Sequence, residues 1–100
     1  MSERLKVIFS KTGDMRDISH LDLVRLFLRA SRRAGLPVTV TKGFNPHLKI
    51  SITRALKLGL ESENEEAVFY MDKEIRHEDF VKSINDKLPE GVRIISAEGA

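Results

Sequence analysis

The chain has 100 residues, of which 41% are hydrophobic and 32% are charged, and its formal net charge is +2. This length and composition predict one globular domain, and no segment predicts a membrane span or a signal peptide. The absence of cysteine excludes disulfides, thiol catalysis and iron–sulfur ligation by its own side chains, and we expect a cytoplasmic protein without membrane contact.

The charge is divided unevenly along the chain. Residues 1–60 contain twelve Lys and Arg against four Asp and Glu, a balance of +8, whereas residues 61–100 contain five against eleven, a balance of −6. Such a division predicts an anionic partner for the first part, with nucleic acid foremost. The alternative is that the two parts lie side by side in the fold and neutralise each other.

The spacing of apolar residues predicts alternating strands and helices. Ser19 predicts a helix N-cap, with Asp22 three residues further on, and Gly35 followed by Pro37 predicts the end of that helix. The predicted elements are a strand at 5–10, a helix at 20–34, strands at 37–41 and 48–52, an extended segment at 55–60, an acidic turn at 61–66, a strand at 67–71, a helix at 77–88 and a strand at 92–97.

This order of elements predicts a ferredoxin-like split βαβ, an α+β fold with an antiparallel sheet and two helices on one face. We expect a single domain over residues 1–100, with an enlarged β-hairpin or loop insertion in its middle. The first helix should face the core with a stripe of apolar and small residues: Leu21, Val24, Phe27, Leu28, Ser31 and Ala34. Ile8 and Ile95 should face outward from the sheet, which suggests that something covers this open face.

The predicted loop, residues 42–49, has the sequence Lys-Gly-Phe-Asn-Pro-His-Leu-Lys. Its glycine and Asn45, which precedes a proline, suit a turn, but a turn does not require the aromatic ring, the histidine or the lysines. Phe44 can stack on a nucleobase while Lys42 and Lys49 hold the neighbouring phosphates, as in proteins that bind single-stranded RNA. Asn45, next to Phe44, is a further candidate for nucleic-acid binding. Alternatively, Phe44 folds back as a hydrophobic plug.

The first predicted helix also carries a basic face. Its four arginines fall at positions i, i+4, i+7 and i+8, and they are Arg25, Arg29, Arg32 and Arg33. At about 100° per residue they share one side of the helix, opposite the apolar stripe, where guanidinium groups can bind phosphate oxygens. The alternative is a solvated helix face on which Asp22 pairs with Arg25.

Three further side chains are candidates for anion binding or proton transfer: Ser19, His20 and His47. The amides that follow Ser19 can receive an anion, and His20 can donate a hydrogen bond or transfer a proton there. Alternatively, His20 packs on the apolar side of the helix and fixes the entry of the chain. His47 is a candidate general base, but the sequence shows no group that orients it. The histidines lack metal-ligand spacing, and no motif specifies an enzyme, so catalysis by this chain alone is not expected.

Six short blocks follow one another along the chain: Lys11-Thr12-Gly13-Asp14, Ser19-His20-Leu21-Asp22-Leu23, Arg32-Arg33-Ala34-Gly35-Leu36-Pro37, Gly43-Phe44-Asn45-Pro46, Lys49-Ile50-Ser51 and Leu58-Gly59-Leu60-Glu61-Ser62. In composition and order they resemble the bacterial radical-SAM-linked proteins of unknown function. The resemblance covers nearly the whole chain and implies the N-terminal portion of a longer family domain. His47 and Leu48 stand where Arg or Pro is expected, which weakens a specific role for His47.

The resemblance implies a radical-SAM protein as partner, which would supply the iron–sulfur cluster and S-adenosylmethionine, and this chain itself would hold no cofactor. Family members are encoded beside radical-SAM proteins and near ribosomal-protein and RNA-processing genes, which implies work on RNA or ribosomal components. We therefore expect an accessory RNA-binding or substrate-presenting module. The alternatives are a metal-independent endoribonuclease similar to CRISPR-repeat-processing enzymes, with His20 and His47 as acid and base, and a protein–protein adaptor without RNA.

Overall fold

A computed structural model describes residues 3–52 and 59–100 of the chain. Its elements are the strand β1 (Glu3–Lys11), a short 3₁₀ helix (Gly13–Asp17), the helix α1 (His20–Arg33), the strands β2 (Ile50–Ile52) and β3 (Ser62–Met71), the helix α2 (His77–Lys87) and the strand β4 (Val92–Gly99). Most of the extended segment predicted at 55–60 lies outside the described residues. Within the described part, neither helix is long and apolar enough to cross a membrane.

The four strands form one sheet in the order β2-β3-β1-β4, and every neighbouring pair is antiparallel. The strands β1 and β3 lie in the centre, and each helix connects a central strand to an edge strand. Both helices cover the same face, because the alternate side chains of β1 that include Leu5 and Phe9 are fully buried, whereas the residues between them are not. The ferredoxin-like split βαβ fold predicted from the order of elements is confirmed.

Four aromatic rings run through the core between the sheet and the helices. Phe9 of β1, Phe27 of α1, Phe69 of β3 and Phe80 of α2 form a chain in which successive ring centroids are 5.3 Å apart in edge-to-face arrangements. All four side chains are fully buried. Edge-to-face pairs add to the free energy of burial, so these rings join both helices to the two central strands.

The predicted core face of α1 is partly wrong. Phe27 and Ser31 are buried as expected, but Leu23 and Ala30 are also buried, whereas Leu21 is 57% exposed. The buried side is rotated because α1 packs against α2 as well as against the sheet. Val24 and Leu28 are half-buried and pack against the core, and together with the exposed Leu21 they also lie along the insertion in the middle of the fold.

The acidic turn predicted at 61–66 is also wrong, because β3 already begins at Ser62. Its acidic half pairs with β1, which runs on to Lys11, so backbone hydrogen bonding overrides the low strand preference of these residues. Glu66 stands beside Lys6 of β1, and their side chains form an ion pair at 3.1 Å. Lys11 itself is buried at the end of β1, one residue beyond the predicted strand at 5–10.

The loop insertion interrupts a single edge of the sheet. Val38 forms a bridge to Met71 of β3, and the strand β2 continues along the same edge of β3 from Ile50. At the junction the backbone of Tyr70 bonds to two segments, since its N–H donates to the Lys49 carbonyl and its carbonyl accepts from the Thr39 N–H. The segments predicted as strands 37–41 and 48–52 are therefore successive parts of one edge, and the first forms isolated bridges only.

The residues between these two segments form a hairpin that projects from the edge. An antiparallel bridge joins Val40 to Leu48, the Lys49 N–H donates to the Thr39 carbonyl at 2.9 Å, and the Thr41 N–H donates to the His47 carbonyl at 2.8 Å. These bonds close the base of the insertion. The sheet edge thus holds residues 42–47 out as a tip, close to the first half of α1.

Candidate functional site: the groove between α1 and the loop

A groove of about 650 Å³ lies between the first half of α1 and the projecting hairpin, and we call it the α1–loop groove. The helix and the hairpin contribute residues to opposite walls. The lining residues are His20, Leu21, Val24, Arg25, Leu28, Phe44, Asn45, Pro46, His47, Leu48 and Ile50. The two features that the sequence singled out separately, the loop and the start of the helix, therefore form one surface.

Phe44 lies at the tip of the hairpin and is fully exposed, with a relative accessibility of 104%. The alternative of a hydrophobic plug is therefore wrong, because no part of the ring packs into the core. Gly43 next to it has φ of +137°, a backbone conformation that a side chain disfavours. Asn45 is exposed beside Phe44 and also lines the groove. The loop thus presents one aromatic ring to solvent at the rim of a concave, largely apolar surface.

His47 has an orienting partner that the sequence did not reveal. Its Nδ1 lies 2.9 Å from the backbone carbonyl oxygen of Asn45, and its backbone N–H donates to Thr41 Oγ1 at 3.1 Å. A carbonyl oxygen only accepts hydrogen bonds, so Nδ1 carries the proton in this arrangement. The neutral ring then has its lone pair on Nε2, which is the form that can accept a proton from a ligand.

Ser19 and His20 begin α1 but have different environments. Ser19 Oγ accepts a hydrogen bond from the Asp22 N–H at 3.1 Å, which confirms the predicted N-cap and commits the hydroxyl to the helix. His20 is exposed and lines the groove, together with His47 from the opposite wall. The structure therefore brings the two predicted histidines to one groove.

The arginine face of α1 is exposed along its whole length. Arg25 lines the groove, and its Nη1 lies 3.8 Å from Asp22 Oδ1. This is the ion pair expected if the arginine face is simply solvated. Both partners are largely exposed, and such ion pairs contribute little to stability. Arg32 is seven residues from Arg25, nearly two turns, so it continues the same row beyond the groove. Within residues 3–52 and 59–100, no carboxylate lies within ion-pair distance of Arg29, Arg32 or Arg33.

The two lysines predicted to flank Phe44 do not act together in this structure. Lys42 is exposed in the loop, whereas Lys49 lies on the opposite, open face of the sheet. Its Nζ is 4.7 Å from the centre of the Tyr70 ring, a cation–π contact. The predicted binding residues therefore lie in two places. Most of them lie at the groove or along the arginine face, whereas Lys49 lies on the other side of the sheet edge.

The two oppositely charged parts of the chain meet at Lys6. Its Nζ lies 3.1 Å from a Glu66 carboxylate oxygen and 3.8 Å from one of Glu98. These carboxylates, first of all through the hydrogen bond to Glu66, raise the pKa of Lys6 above its usual value. The basic and acidic parts of the chain thus neutralise each other at Lys6, whereas the arginine face of α1 remains available to an anion.

The sequence did not reveal that apolar side chains of α1 line a groove. Its helical period places Leu21, Val24 and Leu28 on the core side with Phe27, and the structure packs Val24 and Leu28 against the core but brings all three to the groove as well. Leu23, Phe27 and Ala30 follow a second helical spacing, and this pattern indicates a helix with two apolar sides. Tyr70 was missed as well, because only the pairing of β3 with its neighbours places it between Arg4 and Lys49.

The family of the chain can be stated from its sequence. No curated protein matches it closely enough to count as a relative. Residues 4–100 match the bacterial family described as "Uncharacterized protein conserved in bacteria (DUF2344)", which covers both helices, all four strands and the projecting loop. The chain belongs to the DUF2344 family.

Proposed function

We propose that this domain is an RNA-binding module that presents its RNA to a radical-SAM enzyme. The observation that carries the proposal is the α1–loop groove, in which an exposed aromatic tip faces a helix with a row of arginines. Single-stranded RNA is held by stacking of its bases on aromatic rings and by cationic contacts to its backbone. The groove has both groups on one surface.

The chemistry of the groove suits a single-stranded RNA that turns one base into the groove. A base stacked on Phe44 would place its other edge over the apolar wall of Leu21 and Val24, from which water is easily displaced. Arg25 and Arg29 would then meet the backbone, because guanidinium groups bind phosphate oxygens with two hydrogen bonds. The stacking energy of such a contact tolerates different bases, so shape and charge would dominate sequence preference.

The radical-SAM partner follows from the resemblance of the chain to radical-SAM-linked proteins. Radical-SAM chemistry needs an iron–sulfur cluster, and clusters of this kind are bound through cysteine thiolates. This chain contains no cysteine, so the partner would hold the cluster and the cofactor, and this domain would hold the substrate. Co-purification of the full-length protein with that partner, before and after nuclease treatment, tests whether the association depends on RNA.

Charge reversal on the arginine face tests RNA binding. The double variant Arg29→Glu, Arg32→Glu should bind a labelled single-stranded RNA at least about tenfold more weakly, since phosphate contacts dominate such affinities. The wild type should also lose affinity steeply as salt increases. The matched control, Lys73→Glu with Lys82→Glu, changes the net charge equally at exposed positions outside the groove and should bind as the wild type does. Equal losses in both variants, or no loss, would refute the proposal, and RNA-independent partner capture would then favour the adaptor.

One observation also favours the endoribonuclease as a second candidate function. His20 and His47 lie on opposite walls of one groove, and the Asn45 carbonyl leaves His47 Nε2 free to accept a proton. In such a reaction one histidine takes the proton of a ribose 2′-hydroxyl, the oxygen attacks the adjacent phosphorus, and the other histidine protonates the departing 5′-oxygen. The products would be a 2′,3′-cyclic phosphate and a 5′-hydroxyl.

Cleavage of end-labelled RNA in the presence of EDTA tests this second function. The wild type should produce cyclic-phosphate ends, and the double variant His20→Ala, His47→Ala should not. His77→Ala is the control, because His77 begins α2 and does not line the groove. Intact RNA with the wild type, or equal cleavage by all proteins, would exclude the nuclease while leaving RNA binding open.

A further inference from the structure

A second cationic cluster lies on the open face of the sheet, across the edge from the α1–loop groove. Arg4 of β1 pairs in register with Tyr70 of β3, and Lys49 lies over the ring of this tyrosine with its Nζ 4.7 Å from the ring centre. Ser51 of β2 is exposed two residues after Lys49 and therefore lies on the same face of the edge strand. The edge strand and both central strands therefore direct four polar side chains to one place.

In the part of the chain that the structure describes, no acidic side chain pairs with this cluster, although carboxylates pair with Lys6 on the sheet face beside it. Among residues 3–52 and 59–100, no carboxylate lies within ion-pair distance of Arg4 or Lys49. Two residues along β1, in contrast, Lys6 is held by two carboxylates. Glu3 lines the same recess, but its Oε1 accepts a hydrogen bond from the Ile75 N–H at 3.0 Å. Two like charges thus flank one ring, and a bound anion would relieve their repulsion.

We propose that the cluster of Arg4, Lys49 and Tyr70 is an oxyanion site that binds a phosphate group. It lines a recess of about 570 Å³, large enough for such a group with its ligands around it. The guanidinium of Arg4 can donate two hydrogen bonds to phosphate oxygens, Lys49 can swing from the ring to donate a third, and the Tyr70 hydroxyl can donate a fourth. The site does not depend on RNA binding in the groove.

The electrostatics of Tyr70 agree with a positive potential in the recess. The pKa of its hydroxyl lies below the usual value, chiefly because of the hydrogen bond from Ser51 and then because of Arg4 and Lys49. A bound anion has the opposite effect, since its negative charge disfavours the phenolate. The tyrosine therefore responds to occupation of its own site.

This response provides a direct assay, because the chain contains one tyrosine and no tryptophan. Ultraviolet absorbance of the phenolate should show that inorganic phosphate raises the pKa of Tyr70 by about 1 relative to chloride at equal ionic strength. The double variant Arg4→Gln, Lys49→Gln should lose this effect, and Lys73→Gln with Lys82→Gln should retain it. An equal effect of chloride, no effect of phosphate, or an undiminished effect in the cluster variant would overturn the proposal.

Two sources of the phosphate group are distinguished by the ligand used. Ribose 5-phosphate offers a phosphate monoester, and a short single-stranded RNA without terminal phosphates offers backbone diesters alone. Whichever of them shifts the pKa of Tyr70 in the wild type, and not in the cluster variant, identifies the source and supports the site. The groove variants Phe44→Ala and Arg29→Glu with Arg32→Glu should respond to inorganic phosphate as the wild type does, so failure of the groove and failure of this site are told apart.

Discussion

Replacement of Phe44 by alanine should separate binding from folding. The ring is fully exposed, so its removal uncovers no core and should change the free energy of unfolding by less than about 0.5 kcal/mol. The same substitution at Phe27, which is fully buried between Phe9 and Phe69, should cost about 3–5 kcal/mol. Urea unfolding of both variants measures this contrast.

RNA affinity should respond in the opposite way. Stacking of a base on an aromatic ring contributes about 1–3 kcal/mol, so Phe44→Ala should weaken binding of single-stranded RNA by about fivefold to 150-fold. Fluorescence anisotropy with a labelled RNA measures the dissociation constant. Ile95→Ala is the matched control, because Ile95 is an exposed apolar side chain on the open sheet face, 51% accessible. Unchanged affinity of Phe44→Ala, or an equal loss in Ile95→Ala, would refute stacking on the loop.

Two further predictions concern the fold itself. Gly91→Ala should destabilise the domain by about 2 kcal/mol or more in urea unfolding, because φ of Gly91 is +98° and an added Cβ would lie 2.7 Å from the Thr12 carbonyl oxygen. Gly13→Ala is the control. It should lower the free energy of unfolding by less, because φ of Gly13 is +58° and an added Cβ would meet no atom within 4 Å. Lys6 should make stability depend on alkaline pH. Its carboxylate partners raise its pKa in the folded state above the ordinary 10.5, so its contribution is present below that value and is lost as pH rises through the raised one. Lys6→Gln should therefore be less stable than the wild type near neutral pH and should approach it in strongly alkaline buffer; a constant difference across this range in thermal unfolding would contradict the linkage.

The fold could be predicted because its signals are local and periodic. Alternation along the first strand, the cap at Ser19 and the apolar period of the second helix are properties of neighbouring residues, and the structure has the corresponding elements at those places. Predictions were wrong where partners distant in the chain decide the outcome. The acidic stretch that follows Glu61 is a strand because β1 supplies its hydrogen bonds, not because its own residues favour one.

The candidate site depended still more on tertiary structure. Residue type and helical spacing are enough to predict an unusual loop around Phe44 and a basic face on the first helix. Contacts between residues far apart in the chain bring the loop and the start of the helix to one groove, expose Leu21 there, and place Lys49 across the sheet edge beside Tyr70. A helix with two apolar sides can bury either side, and the side chains of a strand alternate between the two faces of its sheet. Which side is buried depends on the elements that pack against it, and local spacing does not specify those elements.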